Sequence, residues 1–121
     1  PFEERVGYAR AVVMSGAGGD WCFVAGTTGY DYARMAMPDD PAEQARNTLA
    51  TIATTLEEAG FALGDVVRAR YYLTDRAHRA AIEPVLGATF RPILPAATMV
   101  ICDLAAPEMK VEIEVDAYRP A

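Results

Sequence analysis

Histidine is almost missing from this sequence: His78 is the one copy among 121 residues, and no carboxylates stand around it at ligand spacing. Metal sites are built from several grouped nitrogen, sulfur or oxygen ligands, so no metal is expected. Cysteine is scarce as well. Cys22 and Cys102 sit inside apolar, strand-like runs without metal-ligand spacing, and buried free thiols in a reducing compartment are expected. No apolar run nears the roughly 18 residues that cross a bilayer. The opening Pro-Phe-Glu-Glu-Arg has neither the basic nor the apolar part of a signal peptide. The expectation is a cytoplasmic chain with no membrane partner. Basic residues are outnumbered: 11 Lys and Arg against 17 Asp and Glu give a formal net charge of −6. That balance repels phosphate backbones, and no basic stripe interleaves with aromatics, so a nucleic acid partner is not expected.

What is present suits one globular domain over residues 1–121, with 52% hydrophobic and 23% charged residues and enough length to bury a core. Tyr8 to Met14 and Trp21 to Thr27 read as strands. The Ser15-Gly-Ala-Gly-Gly-Asp20 segment between them predicts a hairpin. It is not a phosphate loop, because it lacks the following Lys-Ser/Thr and leads into a strand rather than a helix. Gly26 to Asp40 reads as loop, with a further short strand expected around Tyr30 to Met35. Asp40-Pro41-Ala42-Glu43 carries an N-cap, a proline at the first helical position and an acid in the first turn. Ala45, Leu49, Ile52, Ala53 and Leu56 then recur at helical spacing, and Gly60 supplies the stop. Asp65 to Leu73 predicts a strand with Val67, Ala69, Tyr71 and Leu73 on one face and Arg68, Arg70 and Tyr72 on the other. Asp75 is placed to cap a second helix, Arg76 to Phe90, which Pro84 kinks or restarts.

Pro1 raises the question of an N-terminal proline base. Proteins that use one begin a core strand at the proline itself, whereas Phe2-Glu-Glu-Arg separates Pro1 from the first apolar run. No catalytic role is expected of it.

Pro95 to Tyr118 holds two apolar, strand-prone runs around the break Ala105-Ala106-Pro107-Glu108. In the second, Val111, Ile113, Val115 and Ala117 alternate with Glu112, Glu114, Asp116 and Tyr118, giving one apolar and one acidic face. Three readings of the acidic row stand side by side. It is a solvated face, where alternating charges on a strand usually belong; or it pairs with the basic row of Arg68 and Arg70 in an ion-pair lattice on one sheet surface; or one carboxylate faces a cleft and handles a proton or a water. The order strand, strand, helix, strand, helix, strand, strand predicts an α+β fold with both helices on one face of a mixed sheet. Its other face, with mixed apolar and charged positions, is expected to meet a second subunit.

Several segments, in this order, are similar to the RidA/YjgF family of reactive-intermediate deaminases. They are Gly7-Tyr8, Val24-Ala25-Gly26, Ala45-Arg46-Asn47-Thr48-Leu49, Leu56-Glu57-Glu58-Ala59-Gly60 and Leu63-Gly64-Asp65-Val66-Val67, followed by Tyr72-Leu73-Thr74-Asp75, Pro95-Ala96 and Val111-Glu112-Ile113-Glu114. The resemblance implies a chorismate-mutase-like homotrimer with small-molecule clefts between subunits. It implies hydrolysis of imines and enamines to a keto acid and ammonia, without a cofactor. In that family an arginine of a Pro-Ala-Arg-Ser/Thr motif clamps the substrate carboxylate, and a glutamate fifteen positions later positions water. Here Pro95-Ala96-Ala97-Thr98 puts alanine at the clamp, while the glutamate remains as Glu112. Tyr8 matches a cleft tyrosine, and Ala25 replaces a serine before Gly26. The expected site is therefore Glu112 as acid/base, with Tyr8, Ala25, Gly26, Ala97, Thr98 and Met99 binding. Thr98 would hold a substrate oxygen, and amides near Ala97 to Met99 would stabilise negative charge. Alanine cannot imitate a bidentate guanidinium, so the usual imino acid is not expected as substrate unless Arg10, Arg68 or Arg70 reaches the cleft. The alternative is a trimer that binds a metabolite or protein without catalysis. RNA cleavage, also attached to this family, is opposed by the acidic balance and the lack of a histidine pair.

Overall fold

A computed structural model describes residues 2–121, so Pro1 lies outside the described residues. Five strands form one mixed sheet in the order β1-β2-β5-β3-β4: β1 is Ala11–Gly16, β2 Gly19–Thr28, β3 Val66–Leu73, β4 Ala96–Ile101 and β5 Val111–Pro120. β1, β2, β5 and β3 pair antiparallel in that sequence, and β4 runs parallel to β3. The two runs of the last quarter are thus not paired with each other: β3 lies between them, with β4 on one side and β5 on the other. A short helix α1 (Phe2–Val6), which the sequence pattern does not announce, precedes the sheet.

Helices α2 (Pro41–Glu58) and α3 (Arg79–Phe90) cover one face, as expected of the α+β arrangement. The Asp40 carboxylate accepts from the amide of Glu43 at 3.2 Å, so α2 starts where its capping signal lies. Ala45, Leu49, Ile52 and Leu56 pack on Cys22, Val24, Val111, Ile113, Val115 and Ala117, and Ile82, Leu86 and Phe90 of α3 complete the core. Asp75 caps a single 3-10 turn, Arg76–His78, rather than α3 itself. Pro84 neither breaks nor restarts α3. It lies on the exposed side, as does Ala80 four residues before it, so the carbonyl left without a donor faces water. Among the described residues no helix is long and apolar enough to cross a membrane.

The expected hairpin is present with a shorter turn, and two further expectations are corrected. The hairpin turns on Ala17 and Gly18 alone, since strand pairing runs on to Gly16 and Gly19. Tyr30 to Met35 is not a strand: the Asp31 carboxylate accepts from the amides of Ala33 and Arg34 at 3.0 and 3.1 Å, Met35 has a left-handed φ of 54°, and only the bridge from Asp31 to Ala36 remains. Such a side-chain turn competes with ladder bonds. Val67 does not join Ala69, Tyr71 and Leu73 in the core. The register shifts between Val66 and Arg68, so Val66 is buried and Val67, 42% exposed, is pushed outward.

Gln44 of α2 is fully buried with every amide bond made: its nitrogen donates to the carbonyls of Pro38 (2.7 Å) and Glu108 (3.0 Å), and its oxygen accepts from the amide of Lys110 (2.9 Å). It fastens the start of α2 to the chain just before Glu112. Gln44→Leu keeps the volume but strands these partners, each costing about 1–3 kcal/mol when buried. A lower denaturation midpoint, equivalent to a loss of about 3 kcal/mol, is expected by urea unfolding; an unchanged midpoint would show the tie to be dispensable.

Candidate functional site

The helix-free face of the sheet carries both charge rows. Alternation along β5 sends Glu112, Glu114 and Asp116 to this face while Val111, Ile113 and Val115 enter the core. In register with them on β3 stand Tyr72, Arg70 and Arg68. Arg70 Nη1 lies 3.5 Å from Asp116 and 3.8 Å from Glu114, and the Tyr72 hydroxyl donates to Glu114. That bond, followed by burial, raises the Tyr72 pKa. The expected ion-pair lattice is thus present in part: Arg70 takes up two of the three carboxylates, while Arg68, in register with Asp116, makes no ion pair among the described residues. Glu112 stays outside it.

Glu112 is placed by an irregularity in β2. Val24 is opposite Val115 and Thr27 opposite Ile113, so β2 has one residue more than β5 over this span, and Ala25 and Gly26 bulge. The Glu112 carboxylate packs directly on Gly26: a Cβ built there would overlap Oε2. Burial, and then the neighbouring charge of Glu114, raise the Glu112 pKa above its ordinary value, while Arg10 acts in the opposite direction. A carboxyl group held closer to neutrality in a pocket is equipped to take and return a proton.

The pocket beside it, about 420 Å³, is bordered by Gly26, Tyr72, Cys102, Asp103 and Glu114. Cys102 is thus half-exposed at this pocket rather than buried, because it follows the end of β4, whereas Cys22 lies in the core. A second depression holds Tyr8, Ala25 and Arg70, with Glu114 shared between the two. The chain accordingly brings Glu112, Gly26, Tyr8 and Ala25 into one neighbourhood. Ala97, Thr98 and Met99 are not part of it. β4 is two strand spacings, roughly 10 Å, from β5, Ala97 and Thr98 are exposed along the sheet edge, and Met99 packs against the core.

Of the three arginines considered for the missing clamp, Arg70 is committed to Glu114 and Asp116, and Arg68 is in register with Ala96 and Asp116. Arg10 alone reaches the bulge, donating to the Gly26 carbonyl at 2.8 Å. Thr27, buried with its hydroxyl bonded to the Ala25 carbonyl at 2.9 Å, was not singled out by the sequence pattern. A glycine interrupting a strand, here Gly26, is the signal that marks such a bulge. Among the described residues no group of three His, Cys, Asp or Glu side chains is placed to hold a metal ion.

Known proteins share this architecture. The family model described as endoribonuclease L-PSP matches residues 2–119. The crystal structure of a member of the highly conserved YjgF/YER057c/UK114 family from Mycobacterium tuberculosis superimposes with a TM-score of 0.83 at 41% identity, over 98% of this chain and 92% of that one. RidA from the Antarctic bacterium Psychrobacter superimposes with a TM-score of 0.82 at 28% identity, over 93% and 89% of the two chains. An uncharacterized protein of Streptomyces coelicolor is 31% identical over all of this chain and 88% of its own length. With the match running nearly end to end, the chain belongs to the endoribonuclease L-PSP family, the YjgF/RidA family.

Proposed function

We propose that this chain is a cofactor-independent acid/base enzyme that hydrolyses a small imine- or enamine-like molecule in a cleft between subunits of a homotrimer. The observation that carries this reading is Glu112, held on Gly26 at a pocket, outside the ion-pair lattice and with a raised pKa. For a protonated imine, Glu112 as carboxylate takes a proton from water while the water oxygen bonds to the C=N carbon. The resulting carbinolamine receives that proton on nitrogen, the C–N bond breaks, and ammonia leaves as Glu112, again a carboxylate, takes the hydroxyl proton, which it then returns to solvent, and the carbonyl forms. An enamine first accepts a proton on carbon from neutral Glu112, which yields the same iminium. Tyr8 orients the substrate. Thr98 and the amides of residues 97–99 serve a site only if a neighbouring subunit brings its β4 edge to Glu112.

Exposed Val12, Met14, Trp21 and Phe23 on the helix-free face support subunit contact there, since apolar groups of this size are costly to leave in water. Ala97 in place of the clamp arginine supports a substrate without the usual carboxylate.

The test is ammonia and carbonyl release from freshly generated imines and enamines, with and without a carboxylate, alongside the mass of the assembly in solution. Turnover confined to carboxylate-free substrates by a trimer is the expected result. A chain that turns over none of them is a binding member of the family, the reading that the loss of the arginine at 97 otherwise favours.

A further inference from the structure

The bulge under Glu112 releases backbone groups from the ladder, and these need partners elsewhere. Arg10 supplies them from both its ends. Its carbonyl accepts from the Ala25 amide at 2.9 Å. Its Nη2 donates to the Gly26 carbonyl at 2.8 Å and to Thr27 Oγ1 at 3.3 Å, and the Thr27 hydroxyl in turn donates to the Ala25 carbonyl at 2.9 Å. Nη1 donates to the Tyr8 hydroxyl at 3.2 Å, and the guanidinium lies 5.3 Å from the Tyr8 ring centre. Glu3 is 3.7 Å from Nη1.

We infer that Arg10 is the positioning residue of the Glu112 site, holding the bulge on which the Glu112 carboxylate packs and the Tyr8 hydroxyl beside it, and that it is not a substitute clamp for a substrate carboxylate. A clamp offers two parallel N–H groups to one carboxylate. Here both terminal nitrogens are already engaged, on three different acceptors and beside an acid. The inference deepens the proposed acid/base function and rests on it for its kinetic part.

The groups that face Glu112 are Glu114 from β5, Tyr72 from β3, Cys102 and Asp103 after β4, and Arg10 before β1. Arg10 is the basic member of this set. Removing it leaves burial and Glu114 unopposed, so Glu112 would titrate at higher pH.

Arg10→Gln and Arg10→Lys test this, with Glu112 followed by carbon-13 NMR of labelled glutamate carboxyls and identified by its loss in Glu112→Gln. In Arg10→Gln, Glu112 is expected to titrate at higher pH and the amide signals of Ala25, Gly26 and Thr27 to shift. Arg10→Lys restores the titration but not the amide positions, since lysine keeps the charge without the fork. In turnover, Arg10→Gln lowers kcat about tenfold on the carboxylate-free substrates with KM nearly unchanged, as a small misplacement of the reacting groups does. A rise in KM confined to carboxylate substrates would make Arg10 a clamp and overturn the inference. So would an Arg10→Gln protein whose Glu112 titration and bulge amides match the wild type. The NMR readings need no turnover, so a wild type inactive on every substrate removes the proposed function and leaves Arg10 to be decided by the spectra.

Discussion

Glu112→Gln is expected to lower turnover about a thousandfold, the middle of the range for losing a general acid/base, while raising the melting temperature at neutral pH. The amide has the shape of the carboxyl, so the packing on Gly26 and the walls of the pocket are retained. What is lost is the ability to take and return a proton. The stability effect follows from the sign of the pKa shift. Glu112 has a folded pKa above its unfolded value, so the fold favours the protonated form. The resulting contribution is complete below the unfolded pKa and disappears as pH rises through the folded one. Above that range the wild type holds a carboxylate next to Glu114 in a partly buried place, and glutamine relieves this. A gain of about 2 °C at pH 7.5 is expected, the scale of a few tenths of a kcal/mol in a domain of this size, and it should vanish near pH 4. The half-exposed side chain limits the effect, because solvent screens it. Full activity in Glu112→Gln would remove the glutamate from the mechanism. Reduced stability at pH 7.5 would mean instead that the carboxylate is held by favourable contacts.

The elements that could be read from the sequence are those whose signals are local. Asp40, Pro41 and Gly60 mark the ends of α2 without reference to any other segment, and the alternation from Val111 to Ala117 fixes which side of β5 is buried. Where the partner decides, the pattern misleads. Val67 looks like a core residue until the mismatch of β3 with β5 turns it outward, and Tyr30 to Met35 looks extended until Asp31 bonds its own turn. The site divides in the same way. The family resemblance carried Glu112, Tyr8, Ala25 and Gly26, which the fold gathers, but no periodicity distinguishes Glu112 from Glu114 and Asp116. That distinction arises because Arg70 pairs with both of the others and Tyr72, although in register with Glu112, gives its hydroxyl to Glu114. Arg10 and Thr27 gain a role only through the bulge at Ala25 and Gly26, a property of two strands counted against each other.

Gly26→Ala gives the other large effect and isolates position from chemistry. Gly26 is not among the glycines with positive φ, so alanine is compatible with its backbone, and the glycine is needed for the close approach of Glu112 alone. The added Cβ collides with the end of a flexible side chain, which can swing aside at little cost to the fold. Turnover is expected to fall about a hundredfold, as a displacement of about 1 Å from a reactive geometry does, with the melting temperature nearly unchanged. The control is the double variant. If Gly26 acts only through Glu112, Gly26→Ala costs almost nothing further once Glu112→Gln is present, because residues that act as one unit are not additive. Measuring kcat/KM for the wild type, both single variants and the double variant gives this coupling directly. Independent losses would mean that Gly26 serves the substrate by itself, for instance by leaving room for it. A Gly26→Ala protein with normal turnover would mean that Glu112 does not work from this place on the bulge, and the acid/base role assigned to it would fall with that result.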